Sequence, residues 1–239
     1  MNRSAIESPP MARSSPRNGL QVAGFIVGGI GAVFVIAGAL ILTYSPGAIM
    51  ARHARMQALS SPGAAALADA PLHQEVLVDG RIARDQPVLF RDFVAFTKEE
   101  EERDRRDDDR KEWKVRDRQA PPLRIVLTGD DAVRVVNYGY GIWGATTTWY
   151  DRSKILETRY TGLVAGEAVV VHARTAPDGL EAIEVASGTR ASYLAGIAAS
   201  VGVAWWLGTG FAICGGVMLL IAATLFVTAV KTRAASGLC

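Results

Sequence analysis

Charged side chains are absent from two long stretches of this chain and crowded between them. No Asp, Glu, Lys or Arg falls from Asn18 to Ala51, or from Ala191 to Val230. A bilayer span needs about 20 apolar residues at a rise of roughly 1.5 Å each. Both stretches meet that length, and nothing between them does. Neither keeps the polar face expected of a core helix in a soluble protein. They predict two transmembrane helices, over 20–44 and 201–230. Arg3, Arg13 and Arg17 precede the first, and small residues Ala48 and Ala51 follow it, as in a signal peptide. Its apolar part is longer than the roughly 7–15 residues of such a leader, which favours an uncleaved anchor. The second stretch, 40 uncharged residues, is too long for one straight span, so 191–200 is assigned to a juxtamembrane segment. Tyr44, Tyr193, Trp205 and Trp206 fall near span ends, where aromatic rings anchor at headgroup level.

The region between the spans changes period. Residues 45–71 are rich in Ala, Ser, Pro and Gly and read as a linker. From Leu72 apolar and polar residues alternate, as in half-buried strands. Val76, Val78 and Ile82 are spaced around Asp79-Gly80, LRIVL and AVRVVN flank the turn-forming TGDD, and GEAVVVHART and GLEAIEVAS flank Pro177-Asp178-Gly179. Six or seven short strands without a convincing amphipathic helix predict a small all-β barrel or sandwich over 72–190. The fold class is therefore two transmembrane α-helices flanking a small all-β extramembrane domain.

One run interrupts this domain. Between Lys98 and Arg118 stand nine basic and ten acidic residues with interleaved signs. As a helix it would place Glu99–Arg103, Glu101–Arg105, Glu102–Arg106 and Asp107–Lys111 in favourable i,i+4 pairs. It reads as a solvated hairpin tip or a short exposed helix, with partner docking as the functional alternative. A cation site at Asp107–Asp109 lacks the turn glycine of calcium loops and has Arg105, Arg106 and Arg110 as competitors. The extramembrane part as a whole carries 21 basic and 23 acidic residues, against the basic excess a nucleic-acid surface requires.

Candidate chemistry is sparse. Cys214 and Cys239 form no C-x-x-C pair, so no zinc finger, RING or redox motif is expected. Gly139, Gly141 and Gly144 match G-x-G-x-x-G, yet the β-branched residues that follow are a poor helix start for a dinucleotide site. His53, His73 and His172 have no second ligand at metal-binding spacing. No nucleophile–base motif occurs, so no catalytic, metal or cofactor residue is assigned. Tyr138, Tyr140, Trp143, Trp149 and Tyr150 make one aromatic segment, either capping the core or presenting a partner, peptide or glycan surface. In the spans, Gly24, Gly28 and Ala32, and likewise Gly208, Ala212 and Gly216, recur every four residues and would let helices approach closely. In an antiparallel pair these faces should meet near Ala32 and Gly216, or else serve self-association.

The order EVLVDGRI, PVLFRDFVAF, the charged run, EWKV, IVLTGDDAVRVVN and RYTGLVAGEAVVVHART resembles the GIDE-type, or beside-a-membrane, domain. ASYLAGIAAS resembles the segment joining that domain to its last helix. The family includes the membrane domain of organellar ubiquitin ligases, whose RING has no counterpart here. The resemblance implies an OB-like barrel beside the bilayer and no reaction.

More Lys and Arg flank the outer ends of the spans than the inner ends. Arg3, Arg13, Arg17, Lys231 and Arg233 stand against Arg52, Arg55 and Arg190. This bias predicts that tails 1–19 and 231–239 are cytoplasmic, with the β domain on the outer face, and the Ala/Arg/Gly-rich composition suggests a bacterial plasma membrane. The expected function is non-enzymatic: protein–protein interaction or assembly at the membrane surface, through a protein partner or a homo-oligomer in the bilayer. A membrane-anchored hydrolase and an accessory subunit of a transporter or channel are the alternatives.

Overall fold

The structure, a computed structural model, describes residues 16–104, 107–129, 131–152 and 157–236. Arg3, Arg13, Arg105, Arg106 and Cys239 lie outside the described residues, and so do the side chains of the Asp107–Asp109 cation candidate. The helices are α1 (Pro16–Ala58), α2 (Ala64–Ala68) and α3 (Arg190–Ser236). Within α1 and α3, Val22–Ala58 and Arg190–Lys231 are long and apolar enough to cross a membrane. The full 43 residues of α1 and 47 of α3 correspond to about 64 and 70 Å, roughly twice a hydrocarbon core. Two compact units result: Ala51–Ala199, and the segments before and after it.

The helical unit is an antiparallel pair built on glycine. A Cβ on Gly38 would stand 2.7 Å from the Gly208 carbonyl oxygen, and one on Gly215 would stand 2.7 Å from that of Gly31. Gly24 faces Ala222 and Leu225, and Phe34 meets Phe211 at 5.3 Å between ring centroids. The contacting small residues thus recur every seven positions: Gly24, Gly31 and Gly38 on one helix, and Gly208, Gly215 and Ala222 on the other. This corrects the expected meeting of Ala32 with Gly216, since a Cβ on Gly216 would meet nothing within 4 Å. Steps of four residues overshoot a turn by about 40°, so 24, 28 and 32 walk off the face. Seven residues return to it within about 20°. Gly28, Gly208 and Ala212 remain in the contact, Gly28 with 3.3 Å to Ala222 Cβ.

In the second unit ten strands follow: β1 (Glu75–Ile82), β2 (Phe93–Asp104), β3 (Asp107–Gln119), β4 (Arg124–Leu127), β5 (Ala132–Arg134), β6 (Gly141–Trp143), β7 (Thr147–Asp151), β8 (Thr158–Val164), β9 (Ala168–Ala176) and β10 (Gly179–Ser187). They form a six-stranded sheet, β5-β4-β1-β9-β10-β6, and a four-stranded sheet, β3-β2-β8-β7. Both contribute to one core, in which Val78, Ile82, Ile125, Val171 and Leu180 from the first meet Val94, Ala95 and Leu163 from the second.

The path from β5 to β6 bends the six-stranded sheet back toward its own edge. Val135 bridges Leu180 in parallel, and Val136 N–H donates to the Leu180 carbonyl at 2.9 Å. Asn137 then stands in for a peptide group: its amide donates to the Ala182 carbonyl and accepts from Ala182 N–H, both at 2.8 Å. One segment therefore pairs with β4 at its start and with β10 at its end. Its glycine triplet leads into strands β6 and β7 and opens no helix, as β-branched Thr146–Thr148 favour.

Candidate functional site

Two surfaces of the Ala51–Ala199 unit concentrate polar side chains. The first lies where the last turns of α1 and the first of α3 meet the outer face of the six-stranded sheet. Alternation in β1, β9 and β10 puts Glu75, Asp79, His172 and Glu184 on that face, opposite the apolar core. Arg52 donates to both carboxylate oxygens of Glu184, at 2.9 and 3.1 Å, and the Tyr193 hydroxyl donates to the same group. Arg55 Nε donates to Glu75 at 3.0 Å, and Glu75 Oε1 lies 3.0 Å from His172 Nε2. Asp79 accepts from the Arg190 N–H at 2.9 Å, which caps the N-terminus of α3. The Arg190 guanidinium donates to the carbonyls of Gln57 and Leu59 at 3.0 and 2.7 Å, closing the C-terminus of α1. Met56, Leu77, Val170 and Ile197 are buried beneath the network.

Two expectations change here. Tyr193, expected as a membrane-interface anchor, is 1 % exposed and bound to Glu184, because a carboxylate on β10 captures its hydroxyl. Tyr44, Trp205 and Trp206 do remain exposed, within about one turn of the same level of the helical pair. The linker expected from residue 45 is instead helical to Ala58, through Pro46. A proline inside a helix costs about 3 kcal/mol, yet α1 continues past it to Arg52 and Arg55, which Glu184 and Glu75 hold.

Burial pushes the Glu75 carboxyl up, but the hydrogen bonds from Arg55 and His172 outweigh it and hold the group below its ordinary value of 4.5. A carboxyl lowered in the folded state stabilises fully above its ordinary range and loses that contribution as pH falls below it. Glu75→Gln is accordingly expected to lower stability by about 1 kcal/mol at neutral pH. Its penalty should shrink as pH drops below 4.5. Denaturant melts of the full chain in detergent at stepped pH check this; a penalty independent of pH would refute it.

The second surface is the four-stranded sheet with its charged hairpin. The run read as hairpin tip or helix forms the two strands β2 and β3, so i,i+4 pairing gives way to cross-strand pairing. Across the strands Lys114 pairs with Glu102 at 2.6 Å and Arg116 with Glu100 at 3.3 Å, while within β2 Lys98 pairs with Glu100 at 2.8 Å. The Lys114 ammonium draws the Glu102 carboxyl below its ordinary range. On the other face Arg159 bonds Glu99 at 2.8 Å and stacks on Trp113, its guanidinium 4.5 Å from the ring centroid. Glu101, 1 % exposed, takes part in the bonds that tie β2 to Glu157. Past that point β2 is paired with β3 alone among the described residues.

The aromatic segment does not form one surface. Adjacent Trp149 and Tyr150 point to opposite faces of β7: Trp149 joins Phe90 and Tyr160 under Arg91, while Tyr150 packs on Trp113. Tyr140 is buried, its hydroxyl donating to the Pro121 carbonyl at 2.9 Å, and that burial raises its pKa. Trp143 packs edge-on against Tyr193, and Tyr138 is exposed. Both the capping and the surface expectations thus apply, to different residues.

Sequence reasoning missed Asn137 and the Glu75–His172 pair. An Asn closing a strand just before Tyr-Gly is the one local signal available for the first. Among the described residues no three His, Cys, Asp or Glu side chains converge as a metal site. No protein-family model matches the chain, and no curated protein or solved structure is significantly similar to it.

Proposed function

We propose that this chain is an integral membrane protein whose GIDE-like β domain acts as a non-enzymatic docking module at the membrane surface. In this reading α1 and α3 span a bacterial plasma membrane, both tails are cytoplasmic, and the β domain lies on the outer face. An OB-like barrel is supported by the 132–143 segment, which touches β4 and β10 in turn. The observation that carries the docking role is the β2–β3 ribbon. It prolongs the sheet past its β8 partner and presents an edge strand of 13 residues studded with both signs of charge. Charge on an edge opposes indiscriminate strand addition, while complementary charge steers a chosen partner. Exposed pairs of this kind contribute only about 0–1 kcal/mol each to stability, which leaves them free for recognition.

The test is chemical crosslinking of the full chain in its native membrane, followed by purification, for wild type and the Lys114→Glu/Arg116→Glu variant. A partner recovered with wild type should fall at least tenfold with the variant, while detergent melts stay close to wild type. Equal recovery from both would refute docking through the hairpin.

A further inference from the structure

A groove of about 440 Å³ crosses the face of the four-stranded sheet opposite Glu100 and Glu102. That volume lies within the range of small-molecule sites. Strand register builds its floor: Arg118 pairs with Thr97, Thr97 with Thr161, and Thr161 with Thr148, so one row crosses all four strands. The Glu99–Arg159 ion pair forms part of the next row. Ile142, Trp143, Gly144 and Ala145 supply the facing wall. The Trp143 indole is 40 % exposed yet held in place by Tyr193, at 5.2 Å between ring centroids. Gly196 lets it seat there, because a Cβ at 196 would overlap the indole ring. Among the described residues Arg118 has no ion-pair partner, and the hydroxyls of Thr97, Thr148 and Thr161 have no hydrogen-bond partner.

We propose that this groove binds an acidic sugar unit of an anionic glycan. The Arg118 guanidinium, unpaired among the described residues, suits a carboxylate, which it can grip through two parallel N–H donors. Three threonine hydroxyls donate or accept as a sugar's hydroxyls require, and Glu99 and Arg159 offer one acceptor and further donors. The partly exposed Trp143 indole lines the groove and offers apolar surface to a sugar ring. A lone phosphate would lie beside the Glu99 carboxylate with one uncommitted cation, a poor match. An extended peptide would need an unpaired strand edge, whereas this floor is the face of a sheet.

Titration calorimetry on the full chain in detergent, with a galacturonate trisaccharide, its neutral galactose counterpart and inorganic phosphate as probes, tests the site. The galacturonate probe should bind wild type at least tenfold more tightly than either control. Arg118→Gln should reduce it to the level of the neutral sugar, and Thr161→Val should weaken it several-fold while melting with wild type. The proposal stands apart from hairpin docking: Lys114→Glu/Arg116→Glu, on the opposite face, should bind galacturonate like wild type. No binding of galacturonate, phosphate binding as tight as galacturonate, or unchanged affinity in Arg118→Gln would each overturn it.

Discussion

Gly38→Leu is expected to force the apolar helices apart, whereas Gly216→Leu should leave the pair intact. A Cβ at position 38 meets the Gly208 carbonyl oxygen at 2.7 Å and the Ala212 nitrogen at 2.8 Å. Both are backbone atoms of α3, so no rotamer change relieves the overlap, and three further leucine carbons must fit as well. Overpacking costs about 1–3 kcal/mol where neighbours can shift, and more where they cannot. In a bilayer the loss is compounded, since close packing itself drives helix association there. Thermal melts in detergent should show a loss of about 3 kcal/mol or more for Gly38→Leu, with Gly216→Leu close to wild type. The reverse order would show that the seven-residue contact is wrong. Because Gly216 faces away from α1, Gly216→Ile also isolates lateral self-association. Unchanged oligomer size in detergent and in bilayers would exclude self-association through that face.

Gly162→Val should unfold the β unit. Gly162 lies in β8 opposite Phe96, beside the bulge where β2 shifts register between Phe93 and Ala95. A Cβ there would overlap the Ala95 carbonyl oxygen and stand 2.7 Å from Phe96 Cβ and 2.9 Å from Phe93 Cδ1. Ala95 and Phe93 are themselves buried, so the added atoms have nowhere to go without parting the β2–β8 ladder. The expected cost is at least about 4 kcal/mol, in the exceptional range for one substitution. It should be read as loss of cooperative unfolding and of near-ultraviolet dichroism. Gly63→Ala is the control, because its added carbon meets nothing within 4 Å; equal stability of the two variants would contradict the packing described.

Much of the architecture was legible without coordinates. Val76, Val78 and Ile82 fall in one strand, and the segments flanking TGDD and Pro177-Asp178-Gly179 pair as hairpins. These features are local, since period and turn residues act over a few positions. The sites were legible only in fragments. Neighbouring Tyr138, Tyr140, Trp143, Trp149 and Tyr150 read as one segment, either capping the core or presenting a surface, yet strand alternation and the bend at Gly139–Gly144 scattered them. Arg52, Arg55 and Arg190 counted only as topology charges, although Glu184, Glu75 and the α1 carbonyls hold them.

From the sequence alone came the two uncharged stretches long enough to cross a bilayer, the β character of the region between them, and the charge balance of its hairpin. Each depends on composition or on spacing within one element. Only the tertiary structure decided which glycines touch, how far α1 runs past Pro46, where Tyr193 points, and that Arg118, three threonines and Trp143 share one groove. Those outcomes depend on register and on partners far away in the chain. A shift of one residue in strand pairing would send a groove residue such as Arg118 to the opposite face of its sheet.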